Sequence, residues 1–288
     1  MKKYMILAAF VVLALVTMAC GFTFNLPWDD ISTGPTQTEE INIPVPEETP
    51  ADVRLDFGAG ELNLAPGAEG ALIEGSATYN VADFKPEIQV DGNDVRLSTG
   101  DLEITGIPRI RFDDVENTWD LQLSDSPMDL EINAGAYQGD YDLGGLSINS
   151  LEINDGAADV RLEFSELNQI EMRSFRYSTG ASAVKMSDLA NANFSLMTFR
   201  GGAGDYTLDF DGDLQRDANV IVESGVSQVT IVVPEGTAAI VTIRGGLLNV
   251  DADSDWQISG STYTLPGDGP KLIIEVEMGA GNLELRSR

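Results

Sequence analysis

The chain has 288 residues, of which 43% are hydrophobic and 7% aromatic, and its formal net charge is −30. This composition excludes disorder throughout the chain and suits one large or two modest globular domains with a core of small aliphatic side chains. The absence of histidine excludes Ser-His-Asp and Cys-His catalysis and zinc sites of the usual composition. The negative charge argues against nucleic acid as a partner.

The first 20 residues have the layout of a secretory signal. Lys2 and Lys3 precede an apolar run that ends at Ala19 and Cys20, and this run is short for a membrane-spanning helix. Cys20 is the only cysteine, and its position after a small residue resembles the lipobox of bacterial lipoproteins. That resemblance implies acylation, so we predict a lipoprotein-type signal peptide over 1–20 with Cys20 as the lipid attachment residue. An uncleaved membrane anchor and a plain thiol are the alternatives.

The predicted mature chain is strongly anionic. Removing residues 1–19 takes away Lys2 and Lys3 and leaves 15 basic against 47 acidic residues. Such a surface does not adsorb to an anionic lipid surface, so the lipid has to supply the membrane attachment. Residues 21–50 contain five prolines and little periodicity, and we predict a Pro-rich flexible, disordered linker there.

From Ala51 onward, short segments of alternating polarity predict β-strands with one buried face. Examples are "DVRLDF", "LEINDGAADVRLEF" and "KLIIEVEM". The stretch "SDLANANFSLM", residues 187–197, is the nearest approach to a helical pattern. We therefore expect the globular part to be all-β.

A glycine recurs at a near-constant interval inside these segments. Successive spacings are 21, 24, 22, 23 and 21 residues, and the glycines are Gly135, Gly156, Gly180, Gly202, Gly225 and Gly246. A period in this range with strands in each unit favours a β-solenoid. We interpret the glycine as a corner that needs positive φ or close backbone approach, and we expect the following Ala, Val or Leu to point into a narrow interior.

These observations predict a single-stranded, right-handed β-solenoid over residues 51–288. Residues 51–123 would form its N-terminal part, and residues 124–288 would form a repeat part with a period of about 22. A β-sandwich and an open barrel also contain many short strands and are the alternatives.

The same segments resemble bacterial toast-rack proteins, which are related to the domains of cell-wall-active-antibiotic response proteins. The resemblance rests on the "GAG" turns at 58–60 and 279–281, on "YNV" at 79–81 and on "WDLQL" at 119–123, and it extends over residues 51–288. It implies a stacked β-fold and a role in envelope-stress sensing or as an adaptor. It implies no catalytic site, and a lipoprotein-like start stands where the antibiotic-response relatives have transmembrane helices.

Two acidic runs are weak candidates for a cation site. "DFDGDLQRD" places Asp209, Asp211 and Asp213 in a loop, but Val220 stands where an EF-hand has its bidentate glutamate. "DADSD" places its three acids on one side of an extended segment; they are Asp251, Asp253 and Asp255. Solvated turn residues are the simpler interpretation of both runs, so we predict no metal and no cofactor.

The function expected from the sequence is non-catalytic. We predict an extracytoplasmic protein tethered to the membrane by a lipid anchor, whose β-solenoid mediates interaction with an envelope protein or glycan or senses envelope stress. A structural or adhesive surface spacer is the first alternative. A Ca²⁺-dependent carbohydrate-active β-helix enzyme is the second, and it would need a lysine or arginine base beside carboxylate ligands.

Overall fold

In a computed structural model of the protein, the described residues are 33–99 and 115–288, and they are almost entirely β-structure. Within them, fifteen strands form one open sheet, which confirms the predicted all-β class. Short 3-10 helices lie at Ala82–Phe84 and Leu189–Ala192, and the second is all the helix that the stretch 187–197 forms. The strands are β1 (Gln37–Ile43), β2 (Ala51–Pro66), β3 (Ile73–Tyr79), β4 (Pro86–Asp91), β5 (Asp94–Thr99), β6 (Asn117–Leu123), β7 (Met128–Asp142), β8 (Ile148–Glu163), β9 (Ser174–Ser187), β10 (Leu196–Asp209), β11 (Ala218–Val233), β12 (Gly236–Ala252), β13 (Gln257–Ser259), β14 (Thr262–Leu265) and β15 (Gly267–Ser287).

Eight long strands form a parallel stack in the order β2-β7-β8-β9-β10-β11-β15-β12. From β7 to β11 each strand pairs with the next one along the chain, 21 to 24 residues later, as Leu151 pairs with Phe175. Two parallel neighbours require a connection that brings the chain back to the end at which the first strand began. The glycine period is the length of one strand together with this connection. The stacking expected of a solenoid is therefore present in this part, while the handedness of the coil stays a prediction.

The order changes at the C-terminal end of the stack. β15 lies between β11 and β12, so that Val226 pairs with Ala280 and Leu247 pairs with Ala280 from the other side. The expectation that Gly246 follows Gly225 directly is wrong, because Gly279 occupies the intervening place. Local pattern alone could not reveal this, since both glycines sit in equivalent corner sequences.

The repeated glycines form one ladder through all eight long strands, each dividing its strand into a first arm and a second arm. A Cβ on Gly180 would lie 2.4 Å from the carbonyl oxygen of Gly156, and one on Gly202 would lie 2.3 Å from that of Gly180. None of the ladder glycines has positive φ. Close backbone approach, rather than a left-handed conformation, therefore explains the glycine. The ladder comprises Gly58, Gly135, Gly156, Gly180, Gly202, Gly225, Gly279 and Gly246.

The residue after each ladder glycine does not point into the interior, so that prediction was wrong. Ala136, Ala157 and Ala181 are exposed, and Val226 and Leu247 keep 66% and 84% of their surface in solvent. Buried positions alternate along both arms, and the alternation changes phase at the corner, where two consecutive residues face outward. This change of phase places the side chain that follows the ladder glycine on the outside.

The predicted flexible linker ends earlier than residue 50. β1 pairs antiparallel with β3, and its Ile41 and Ile43 are buried in the core. Their alternation with Glu40 and Asn42 is the period of a half-buried strand, which the flanking prolines obscured. The ordered sheet therefore begins inside the 21–50 segment.

The two ends of the stack are covered differently. At the N-terminal end the first arm of β2 pairs with β5, and its second arm pairs with β6. Antiparallel strands extend both flanks, with β4 beyond β5, and β3 and β1 beyond β6. At the C-terminal end β14 and β13 extend β12, but β14 pairs only with Ala239–Thr242, which lie in the first arm.

Candidate functional site

The predicted lipid attachment residue, Cys20, lies outside the described residues. The first acidic run is held by partners within the fold. Asp209 is buried and forms an ion pair with Arg288, and its Oδ1 accepts the backbone N–H of Asp211 at 3.2 Å. Burial raises the pKa of Asp209, and the Arg288 charge opposes that rise. The backbone N–H of Asp213 donates to Asn191 at 2.9 Å, so this run forms a pinned turn.

The second acidic run surrounds an arginine. Arg286 donates to Asp251 at 2.9 Å, to Asp253 at 3.2 Å and to Glu284 at 2.8 Å. These carboxylates raise the pKa of the Arg286 guanidinium. Asp255 instead accepts the hydroxyl of Ser287 at 2.8 Å.

The cation that close carboxylates require is therefore supplied by the chain itself, from Arg286 in one run and Arg288 in the other. Across residues 33–99 and 115–288, no group of three Asp, Glu, His or Cys side chains has an arrangement that could hold a metal ion.

A buried polar cluster joins β7, β8 and β9 beside the glycine ladder. The Tyr177 hydroxyl donates to Asp155 Oδ2 at 2.6 Å, and the Tyr137 hydroxyl lies 3.4 Å from the same oxygen. Ser182 Oγ lies 3.5 Å from Asp155 Oδ1 and accepts the backbone N–H of Ala158 at 3.0 Å. These bonds cross from strand to strand, so the cluster fixes the corner of three successive repeats.

Titration in this cluster is displaced by burial. Burial raises the pKa of Asp155, while hydrogen bonds from Thr179, Tyr177 and Tyr137 oppose that rise. The pKa values of Tyr137 and Tyr177 are also raised, first by burial and then by the neighbouring charge. Displaced pKa values often mark functional sites. Here, however, the tyrosines stay protonated and almost wholly buried, so a substrate could not reach the hydrogen-bond distance that general acid-base catalysis needs. The cluster is a structural feature.

The outer face of the first arms carries rows of opposite charge. Arg54 contacts both carboxylate oxygens of Glu131 at 2.5 and 2.6 Å, and Arg200 lies 2.8 Å from Glu223. Each pair joins directly opposed residues on neighbouring strands, the placement in which opposite charges stabilise a sheet.

A groove of about 490 Å³ lies over this face beside β4 and β5, and Asp52, Arg54, Arg96, Asp129 and Glu131 are among its lining residues. Arg96 is 2.6 Å from Asp56, so both arginines of the groove are already paired with acids. The groove offers a polar surface for contact that is negatively charged, because six acids and two arginines line it.

The profile of one protein family matches residues 32–175, half of the 288 residues; its description is the N-terminal domain of toast_rack, DUF2154. The chain belongs to the toast-rack family. The resemblance read from the "GAG" turns is thereby confirmed. The match also begins ahead of β1, in agreement with a toast-rack fold that starts before residue 51.

Several solved structures resemble the toast-rack chain. A "putative cell adhesion protein" from Clostridium sporogenes has 17% identity and a TM-score of 0.49, with 88% of this chain and 100% of that chain covered. A "putative adhesin" from Bacteroides fragilis has 13% identity and a TM-score of 0.45, with 89% and 99% covered. A "putative lipid binding protein" from Parabacteroides distasonis has 12% identity and a TM-score of 0.40, with 90% and 99% covered. At these values the likeness carries no functional argument. Among curated proteins, no relative matches.

Sequence reasoning missed the Tyr137–Asp155–Tyr177 cluster. Its members lie one repeat apart, at separations of 18 and 22 residues. Writing the repeats beneath one another in register would have placed them on adjacent strands. The same alignment would not have placed Arg54 opposite Glu131, because paired residues of β2 and β7 lie 77 residues apart in sequence rather than one repeat apart.

Proposed function

We propose that this toast-rack protein is a non-catalytic extracytoplasmic lipoprotein, tethered to the membrane through Cys20, whose stacked β-domain mediates interactions or senses stress at the cell envelope. The observation that carries the proposal is the lipobox-like start at residues 1–20, placed ahead of a large rigid sheet. A lipid on Cys20 would bury its CH₂ groups in the bilayer at about 0.8 kcal/mol each, which makes several chains an enduring anchor.

The state of the polar groups supports a role without chemistry. A carbohydrate-active β-helix enzyme would need a free lysine or arginine beside a carboxylate set that holds calcium. In the described part of the chain, Arg286 contacts three carboxylates, Arg288 pairs with Asp209, and Lys85 lies 3.5 Å from Glu39. Binding surfaces, rather than a reaction centre, are what this arrangement favours.

The fold also supports a spacer role as a second candidate. Eight parallel strands spaced by about 4.8 Å make a stack roughly 34 Å long. The continuous pairing from β2 to β12 ties every strand to both neighbours inside that stack. Such a body would hold a partner at a fixed distance from the membrane without sensing anything.

We attribute the tether to lipid because the apolar run that ends at Ala19 is short for a membrane-spanning helix. No helix within residues 33–99 and 115–288 is long and apolar enough to cross a membrane. The acidic surface is repelled by anionic headgroups and by nucleic acid, so an envelope protein or a glycan is the partner class we propose.

The tether is tested by expressing the full chain with its own N-terminus in a bacterium, beside a Cys20→Ser variant. The wild type should fractionate with membranes, and its intact mass should begin at Cys20 and include acyl chains. The variant should carry no lipid. A wild-type mass that retains residues 1–19, or a soluble chain without acyl groups, would refute the lipoprotein proposal.

The sensor and spacer roles are separated by chemical cross-linking in intact cells, with and without a cell-wall-active antibiotic. A sensor should cross-link to a defined envelope component, and the yield should change with the stress. A spacer should give the same cross-links in both conditions.

A further inference from the structure

The chain contains four Asp–Gly bonds, at 91–92, 155–156, 211–212 and 268–269. An Asp–Gly bond is open to attack on the aspartate side chain by the backbone nitrogen that follows it, because glycine has no side chain to hinder the approach. The attack needs Cγ of the aspartate beside the nitrogen of the glycine. The four bonds lie in different surroundings, so the fold decides which of them meets this requirement.

Asp211 and Gly212 are held in the arrangement that the attack needs. The backbone N–H of Gly212 donates to Asp211 Oδ1 at 2.8 Å, so the carboxyl group of Asp211 is folded back onto the nitrogen that follows it. Groups that are held in contact react faster than groups that have to meet by free rotation. Both residues are exposed, so water can reach the bond.

Neighbouring bonds keep the turn in this conformation. The carbonyl oxygen of Asp211 accepts the backbone N–H of Ala190 at 3.0 Å. On the other side of the bond, the N–H of Asp213 donates to Asn191 Oδ1 at 2.9 Å. Gly212 itself has a φ of +106°, and a Cβ there would lie 2.5 Å from Asn191 Oδ1. The turn is therefore restrained on both sides of the reacting groups.

The other Asp–Gly bonds lack this contact. The Asp155 carboxylate accepts the Tyr177 hydroxyl at 2.6 Å inside the buried cluster. Asp91 and Asp268 are exposed, and each precedes a glycine of positive φ. Within the described segments, however, only Asp211 accepts the N–H of the glycine that follows it. The two other exposed bonds are therefore matched controls within the same chain.

We propose that the Asp211–Gly212 bond isomerises spontaneously in the folded protein and gives an isoaspartyl linkage in the turn after β10. The nitrogen of Gly212 forms a bond to Cγ of the protonated Asp211 carboxyl group, and the carboxyl hydroxyl leaves with the amide proton as water. Water then opens this cyclic imide at the former main-chain carbonyl carbon, so the chain afterwards runs through Cβ and Cγ. One water is lost and one is added, so the mass of the chain is unchanged.

The isoaspartyl linkage lengthens the main chain by one carbon atom inside the pinned turn. The peptide carbonyl that accepts the N–H of Ala190 becomes a free carboxylate on a longer path, and the N–H of Asp213 is displaced from Asn191. The pairing of β10 with β11 ends at Asp209, before the bond. The modification therefore releases the turn from the preceding repeat and leaves the sheet intact.

The test measures isoaspartate at each Asp–Gly bond of the full chain, purified in detergent and kept at physiological temperature and neutral pH for several weeks. Proteolysis followed by electron-transfer fragmentation distinguishes isoaspartyl from aspartyl linkages at each position. In the folded chain, the isoaspartyl fraction at Asp211 should be about tenfold that at Asp91 and Asp268. In urea these bonds share one environment, so their isoaspartyl fractions should become similar.

Variants separate the geometry of the turn from the chemistry of the bond. Asn191→Ala removes the side chain that restrains the Gly212 side of the turn and leaves the reacting groups unchanged. Its isoaspartyl fraction at Asp211 should fall toward that at Asp268. Asp211→Glu is the negative control, because the longer side chain moves the carboxyl carbon away from the nitrogen. Circular dichroism of each variant checks that the fold is kept.

Three results would overturn the proposal. Equal isoaspartyl fractions at Asp211, Asp91 and Asp268 in the folded chain would show that the turn does not promote the reaction. A fraction at Asp211 that rises in urea, or in Asn191→Ala, would show that the turn protects the bond. Hydrogen exchange at Ala190 should be faster in chains that carry isoaspartate, and unchanged exchange would refute the release of the turn.

Discussion

Replacing Gly180 by alanine, beside the same change at Gly58, tests the explanation of the glycine ladder. Each ladder residue points its missing Cβ at the carbonyl oxygen of the ladder glycine on the preceding strand of the stack. Gly180 therefore faces Gly156 O, which a Cβ would approach to 2.4 Å. Gly58 begins the ladder, and its Cβ would meet nothing nearer than the Thr99 side chain at 3.4 Å. The two positions share their place in the strand, their exposure and a φ that is not positive.

The expected difference between these variants follows from the approach distance. Real Cβ atoms essentially never come within 3.0 Å of another heavy atom, so Gly180→Ala has to push two paired backbones apart. Overpacking of this kind costs about 1–3 kcal/mol. Alanine also removes the entropic cost of glycine in a strand, about 0.5–1 kcal/mol, but it does so at both positions. We therefore expect Gly180→Ala to be less stable than Gly58→Ala by about 1–3 kcal/mol.

Urea unfolding followed by far-ultraviolet circular dichroism measures this difference. The midpoint should fall for Gly180→Ala with an unchanged slope, which reports a loss of stability rather than a change in the unfolded chain. Gly58→Ala should match or slightly exceed the wild type. Equal midpoints for the two variants would refute close approach as the reason for the ladder. A stable Gly180→Ala beside an unstable Gly58→Ala would reverse the assigned direction of the stack.

Three further predictions concern the polar groups. Because burial raises the folded-state pKa of Asp155, the stability of the wild type should fall as pH rises from the ordinary aspartate pKa through the raised one. When urea midpoints are measured against pH, this fall should be smaller for Asp155→Asn. The exposed control Asp159→Asn should keep it. The buried Tyr206 hydroxyl has no hydrogen-bond partner within the described structure, so Tyr206→Phe should be neutral or stabilising in thermal melts. Tyr177→Phe, in contrast, removes a hydrogen-bond donor from the Asp155 carboxylate and should cost about 1–3 kcal/mol of stability. Arg286→Gln should cost about 1.5–3 kcal/mol of stability, since it leaves three carboxylates together without a cation. Urea unfolding should show a greater loss at low salt, where the repulsion is less screened. A variant as stable as the wild type at low salt would contradict the role assigned to Arg286.

The sequence was informative about the fold where successive strands repeat the same local interactions. Alternation with period two predicted the buried face within a single arm, as at Leu151 and Ile153, and the 24-residue spacing of Gly156 and Gly180 equals the step at which Leu151 pairs with Phe175. The sequence was uninformative about the order of strands that have equivalent corner sequences. Gly246 and Gly279 meet the same close-approach requirement, so nothing local decides which of them stacks on Gly225.

The candidate sites were predictable only in part, because their geometry depends on side chains that meet across strands. Asp251 and Asp253 could be recognised as close acids from their spacing, but the arginine between them is 35 residues away in sequence. The interior reading of Val226 and Leu247 failed for another reason. Hydrophobicity suggests burial, but the alternation changes phase at the corner, so that two consecutive residues face outward there.

The ends of a repeat stack are where its sequence has to depart from the repeat. A middle strand such as β9 needs only compatibility with two neighbours like itself, whereas an end strand has to meet water or a partner. At one end the chain adds β1, β3 and β6 beside one arm of β2, and β4 and β5 beside the other. At the opposite end β15 lies between β11 and β12, and in the part of the chain that the structure describes only the first arm of β12 gains a further strand. β15 pairs with β11 on one side and with β12 on the other, so the far side of β12 is left to β14, which pairs only with Ala239–Thr242. Within the described residues, the uncovered side of β12 beyond Ile243 is therefore a consequence of the strand order rather than of any motif in the repeat.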